Sequence, residues 1–92
     1  MDQMRNEVMG LQHKIKDFLD QPGHASATLL KNEVQGLEDD LQVKKNKYTI
    51  EDRIKRVLGA LGNVQASGAM SPEHVQQLAG AFESLRMRAR NL

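Results

Sequence analysis

Four stretches of the chain carry apolar residues at alternating spacings of three and four, which return side chains to one face of an α-helix. Met4, Val8, Leu11, Ile15 and Phe18 make the first, and Leu30, Val34, Leu37 and Leu41 the second. Ile50, Ile54, Val57, Leu61 and Val64 make the third, and Val75, Leu78, Phe82, Leu85, Ala89 and Leu92 the fourth. These are narrow stripes, the pattern of helices packed at shallow angles. No stretch alternates with period two for long enough to read as a strand. The predicted fold is all-α: a small antiparallel helical bundle with coiled-coil-like seams, forming one domain over residues 1–92.

Composition agrees with this reading. Phe18, Tyr48 and Phe82 are the only aromatic residues and there is no Trp, so the core has to be built from Leu, Val, Ile, Ala and Met. Such side chains fill the narrow space between helices, whereas strands favour aromatic and β-branched residues. With no Cys there is neither a disulfide framework nor a Cys-ligated zinc site, and the expected compartment is reducing and intracellular. No apolar run is long enough to span a bilayer, and the first ten residues lack the apolar core of a secretory signal.

The breaks between stripes are legible at two places. Asp20-Gln21-Pro22-Gly23-His24 ends the first helix, since Pro22 cannot continue it. Ala66 to Pro72 forms the last linker, with Ser71 as an N-cap, Pro72 at the first helical position and Glu73 beside the positive end of the helix dipole. The middle is ambiguous. The stripe slips register across Lys44-Lys45-Asn46-Lys47 without Pro or Gly, and Thr49-Ile50-Glu51-Asp52 reads as a capping box with Asp in place of Glu. A break gives four helices, at roughly 3–20, 26–45, 50–65 and 72–91. Without it, residues 26–65 form one helix of about 60 Å at 1.5 Å per residue.

Residues 6–11 (Asn-Glu-Val-Met-Gly-Leu) and 32–37 (Asn-Glu-Val-Gln-Gly-Leu) agree at five of six positions, 26 residues apart. Duplication of one helical unit explains this, and so does chance within helical composition. Gly10, Gly36, Gly59, Gly62 and Gly80 all fall inside predicted helices, where each costs about 1 kcal/mol relative to Ala. Gly10, Gly36, Gly59 and Gly80 follow a seam residue by two positions, about 200° around the helix. They therefore point away from the seam, either as tolerated surface glycines or as a second face that another helix can approach closely.

Catalytic chemistry finds little support, and the expectation is a non-enzyme without metal or cofactor. His13, His24 and His74 have no metal-ligand spacing and read as solvated surface residues; no serine lies in a nucleophile elbow, and no phosphate-binding glycine loop is present. Glu38-Asp39-Asp40 lacks calcium-loop spacing and reads as a solvated face. Charge is more informative. Residues 1–43 hold four basic and eight acidic groups, and residues 44–92 hold nine basic and four acidic, so a net charge of +1 averages halves of −4 and +5. Lys44, Lys45, Lys47, Arg53, Lys55 and Arg56 cluster centrally, with Arg86, Arg88 and Arg90 near the C-terminus. Contact with nucleic-acid or lipid phosphates is one use of such a surface. Complementing the dipole in the last helical turn is another, and pairing the two halves, within one bundle or between chains, is a third.

At Val34-Gln35-Gly36-Leu37-Glu38, and in its helix lengths, the chain is similar over residues 5–65 to the BAG domain, a three-helix module that binds the nucleotide-binding domain of a heat-shock chaperone. The resemblance implies a co-chaperone role as an alternative. That family presents an Arg and a Gln on its third helix; the matching positions are Ile50 and Leu58, both apolar, so those contact residues do not carry over.

The expected function is protein–protein interaction: an adaptor, assembly or chaperone-like module that binds a helical segment of another protein, itself, or both. Val34, Leu37, Leu41, Ile54, Val57 and Leu61 are the candidate packing or partner seam. Lys44, Lys45, Lys47, Arg53, Lys55, Arg56, Arg86 and Arg90 are the candidate electrostatic surface. A small nucleic-acid binder using residues 44–56 is the rival.

Overall fold

The structure is a computed structural model that describes residues 2–92. Four helices follow one another: α1 (Asp2–Phe18), α2 (Ala25–Gln42), α3 (Lys47–Ala66) and α4 (Pro72–Ala89). The short connections make neighbours antiparallel. α2 and α4 pack closely on α3, α1 lies chiefly on α2, and the α1–α4 contact that closes the ring is the sparsest. The bundle measures 34 × 19 × 19 Å, and its radius of gyration of 12.3 Å equals the roughly 12 Å of a well-packed domain this long.

The stripes become the core. Val8, Leu30, Val34, Leu37, Ile50, Ile54, Val57, Val64, Leu78 and Phe82 are wholly buried. Phe82 is the one large ring inside, Phe18 is half-buried at the edge, and Tyr48 is exposed. Leu92 departs from its predicted seam: α4 ends at Ala89, and Leu92 lies exposed beyond it. Leu19, Ala69 and Met70, which lie outside the helices, are buried and cap the core at the end holding the α1–α2 and α3–α4 loops.

The middle does break, and not where the sequence placed it. The N-cap of α3 is Asn46, whose side chain accepts the Thr49 N–H at 2.9 Å. Thr49 is thus the third residue of the helix rather than its cap; Asn caps at least as well as Thr and comes first in the chain. α2 closes with a Schellman turn in which the Lys44 N–H donates to the Leu41 carbonyl and the Lys45 N–H to that of Asp40. That turn needs a left-handed residue, and Lys44 supplies it with φ 58°. α3 closes in the same way, with Gly68 at φ 76° and Ala69 N–H donating to the Val64 carbonyl.

The loop end is sealed by backbone and side chains together. The Ala69 carbonyl accepts the N–H groups of both Asp20 and Gln21. His24, read from the sequence as a solvated loop residue, is the N-cap of α2, with its Nδ1 accepting the Ser26 N–H at 3.1 Å. Ser26 Oγ meets Ser67 Oγ at 2.9 Å, which ties the start of α2 to the end of α3. His74 also departs from the solvated reading: it is half-buried and stacks on Phe18, with ring centroids 3.9 Å apart. Ser71 caps α4 as expected, accepting the His74 N–H, with Pro72 following.

Candidate functional site

The six seam residues Val34, Leu37, Leu41, Ile54, Val57 and Leu61 lie between α2 and α3 with 0–2% of their surface exposed. They pack the monomer's own core, and a partner reaches them only if the bundle opens. Any docking site on the closed fold is therefore built from outward flanks.

The eight basic candidates do not form one field. Arg53 leans from α3 across α2, its Nε donating to Asp40 at 3.1 Å and its Nη1 to Glu33 at 3.2 Å. Burial lowers the guanidinium's proton affinity, but the hydrogen bonds and charges of Asp40 and Glu33 outweigh it and hold the pKa above its ordinary value. Arg86 pairs with Glu83 one turn earlier, and that hydrogen bond raises its pKa. Arg90 donates to Glu51 at 2.7 Å, and this hydrogen bond lowers the Glu51 carboxyl below its usual range. Arg88 grips Glu7 with both terminal nitrogens. The arginines near the C-terminus are thus bound to carboxylates rather than left to the helix dipole. Lys44, Lys45, Lys47, Lys55 and Arg56 make no ion pair among the described residues. Lys47 lies beside Tyr48 and Glu51, and Arg56 shares a groove with Asp40 and Asp52, so carboxylates interrupt the positive surface.

The Arg53 cluster corrects two readings of the sequence. Asp40 is buried against Arg53 instead of lying on a solvated face. Gly36 is neither an idle surface glycine nor a landing point for another chain: a Cβ there would come within 2.7 Å of Arg53 Nη1 and 2.8 Å of its Cζ. Glu33, Gly36 and Asp40 form a cradle on the flank of α2, with the glycine as its floor and a carboxylate one turn to either side. At Gly10, Gly59, Gly62 and Gly80 a Cβ would meet nothing within 4 Å.

The other copy of the repeat lines the loosest seam. Glu7, Gly10, Leu11 and Lys14 of α1 face Ala81, Ser84, Leu85 and Arg88 of α4 across an open groove of about 340 Å³. Leu11 reaches its apolar floor with 8% of its surface exposed, and Leu85 lies closed beneath it at 1%. Gly10, Ala81 and Ser84 keep its walls low. The Glu7–Arg88 pair bridges it two helical turns from Lys14, which makes no ion pair among the described residues. Sequence reasoning noticed the repeat and its glycines but not this groove; the shared Glu-x-x-Gly of residues 7–10 and 33–36 was the available signal.

Among the described residues no group of three or more His, Cys, Asp or Glu side chains is placed to hold a metal ion, and no helix is long and apolar enough to cross a membrane. These features define a small four-helix bundle whose outer seams are unequally closed. No family model matches the sequence, and neither a curated protein nor a solved structure does. The BAG-like positions Ile50 and Leu58 are buried and half-buried in a bundle of four helices.

Proposed function

We propose that the chain is a non-enzymatic protein-interaction module of the adaptor, assembly or chaperone-like kind, which receives a helical segment on its outer surface. The observation that carries this reading is the α1–α4 groove: an apolar floor, low walls and flanking charges are what helix-in-groove recognition uses. The closed core supports the same reading by leaving the seam residues occupied within the chain. A photo-crosslinking amino acid at Ser84, in the groove, is compared with one at Gly59, on the outer face of α3. In extract of the source organism the expected outcome is a discrete adduct from position 84 that excess unmodified protein suppresses, with none from position 59. Equal labelling from both positions, or none from either, counts against the proposal.

The five unpaired cations favour a second reading, nucleic-acid binding through residues 44–56. Electrophoretic titration at two salt concentrations tests it, since binding through phosphates weakens steeply as salt rises. Absence of binding at low salt removes it.

A further inference from the structure

The two copies of the repeat sit on equivalent flanks of α1 and α2 and differ in what covers them. On α2 the glycine of the repeat lies under the Arg53 guanidinium, which spans Glu33 and Asp40. On α1 the equivalent Gly10 is uncovered. Lys14 stands where α2 has Asp40, four residues after the glycine in each copy. The α1 flank therefore carries an acid and a base, Glu7 and Lys14, on either side of a bare backbone. Seven residues is two helical turns, so both project from the same face, about 10 Å apart along the axis at 1.5 Å per residue.

That arrangement complements itself. A second α1 laid antiparallel, related by a two-fold axis passing between positions 10 and 11, sets residue n opposite residue 21 − n. Glu7 of each copy then faces Lys14 of the other, and the two helices cross where Gly10 permits the closest approach. This is an isologous contact that closes at two chains. Ala81 and Ser84 keep the α4 wall from obstructing it, and Leu11 with the Ala81 methyl supplies apolar floor. Each Glu7 carboxylate keeps Arg88 and gains a second cation, and carboxylate oxygens have lone pairs for both.

From this geometry we infer that the α1–α4 groove is a homodimer interface, with a second copy of this chain as its occupant. The inference rests on the interaction-module reading and names its partner. A face of 34 by 19 Å bounds the area two such faces can bury at about 1,300 Å² in total, the small end of specific interfaces, so the dimer is a weak, concentration-dependent one.

Molar mass by light scattering or sedimentation, over a wide range of protein concentration, tests this. The wild-type chain is expected to pass from monomer to dimer. Lys14→Glu places two like-charged pairs in the interface and weakens association by about tenfold or more. Lys14 makes no ion pair among the described residues, so the monomer keeps its fold, which circular dichroism checks. Glu7→Lys reverses the other member of each pair, and because it also removes the Arg88 ion pair its monomer fold is checked in the same way. An equimolar mixture of Lys14→Glu and Glu7→Lys restores a heterodimer, because each pair across the axis is again opposite in sign. Gly10→Leu, whose Cβ would meet nothing within 4 Å in the monomer, abolishes the dimer independently of charge, with circular dichroism again checking the fold. A wild-type chain that stays monomeric at every concentration overturns the inference, as does undiminished association of Lys14→Glu or Gly10→Leu. If the chain is monomeric while position 84 still crosslinks to a protein of different mass, the second copy is excluded and the interaction module stands.

Discussion

Lys44 and Gly68 hold the same place in two copies of one helix-ending turn, and the chain solves the same backbone problem with different residues. Both are left-handed, at φ 58° and 76°. Glycine adopts that conformation without strain, whereas a side chain crowds the neighbouring carbonyl. Lys44→Gly is therefore expected to raise unfolding stability by up to about 1 kcal/mol, and Gly68→Ala to lower it by about the same amount, both by denaturant titration. Gly36 presents the opposite problem, because no positive φ requires glycine there. Alanine should add about 1 kcal/mol of helix propensity, but its methyl group displaces Arg53 from Asp40 and Glu33. In a double-mutant cycle, Gly36→Ala is expected to stabilise the Arg53→Ala background by about 1 kcal/mol and the wild type by clearly less, a coupling of about 0.5–2 kcal/mol. Additive effects would show that the cradle contributes nothing. The left-handed role of Lys44 was not legible in the sequence, since neither Gly nor Asn marks the turn. The Gly36–Arg53 contact was not legible because it joins two helices through one long side chain.

Apolar spacing marked all four stripes, because one narrow stripe per helix is the pattern that shallow packing imposes, but it left open whether the second and third stripes belonged to one helix or two. Boundaries were less legible, since caps are chosen among competing polar side chains. Thr49 and Asn46 both fit a cap, and only the path of the backbone decides between them. Asn46→Ala is expected to cost about 1 kcal/mol of stability and Thr49→Ala less, because the Thr49 backbone N–H, not its hydroxyl, makes the capping bond. α3 and α4 are tied further by Glu51 and Arg90. The Arg90 hydrogen bond lowers the Glu51 carboxyl below its ordinary value of 4.5. A depressed carboxylate contributes stability that is fully present above its unfolded value and is lost as pH falls through the folded one. Thermal melts from pH 6 downward should therefore show wild type and Glu51→Gln converging below about pH 4.5, with the wild type higher above it. A gap that widens in acid would contradict the assignment.

At the scale of the whole molecule, the charge asymmetry between the two halves of the sequence is used inside the bundle. Arg53 meets Glu33 and Asp40, and Arg88 meets Glu7, each joining the basic half to the acidic half. Composition showed the asymmetry, but whether it acted within or between chains depended on which flanks the fold brought together. The bundle is also unequally held. α2, α3 and α4 share the densest packing, and the loop end is stitched by Ala69, Ser26, Ser67 and the Phe18–His74 stack. α1 is anchored at its loop end by the Phe18–His74 stack, and near its start the Glu7–Arg88 pair spans the sparsest helix contact of the bundle. Local opening follows the contacts that must be broken, so α1 should open first, from its N-terminal end. Native-state hydrogen exchange at low protein concentration is expected to give the amides of residues 4–11 a lower opening free energy than those of residues 54–64, which should exchange only on global unfolding. Raising the concentration should protect residues 4–11 selectively, because a second copy laid across Gly10 holds the segment that the monomer secures least. Equal protection of α1 and α3 at low concentration would mean that the open groove does not weaken the fold.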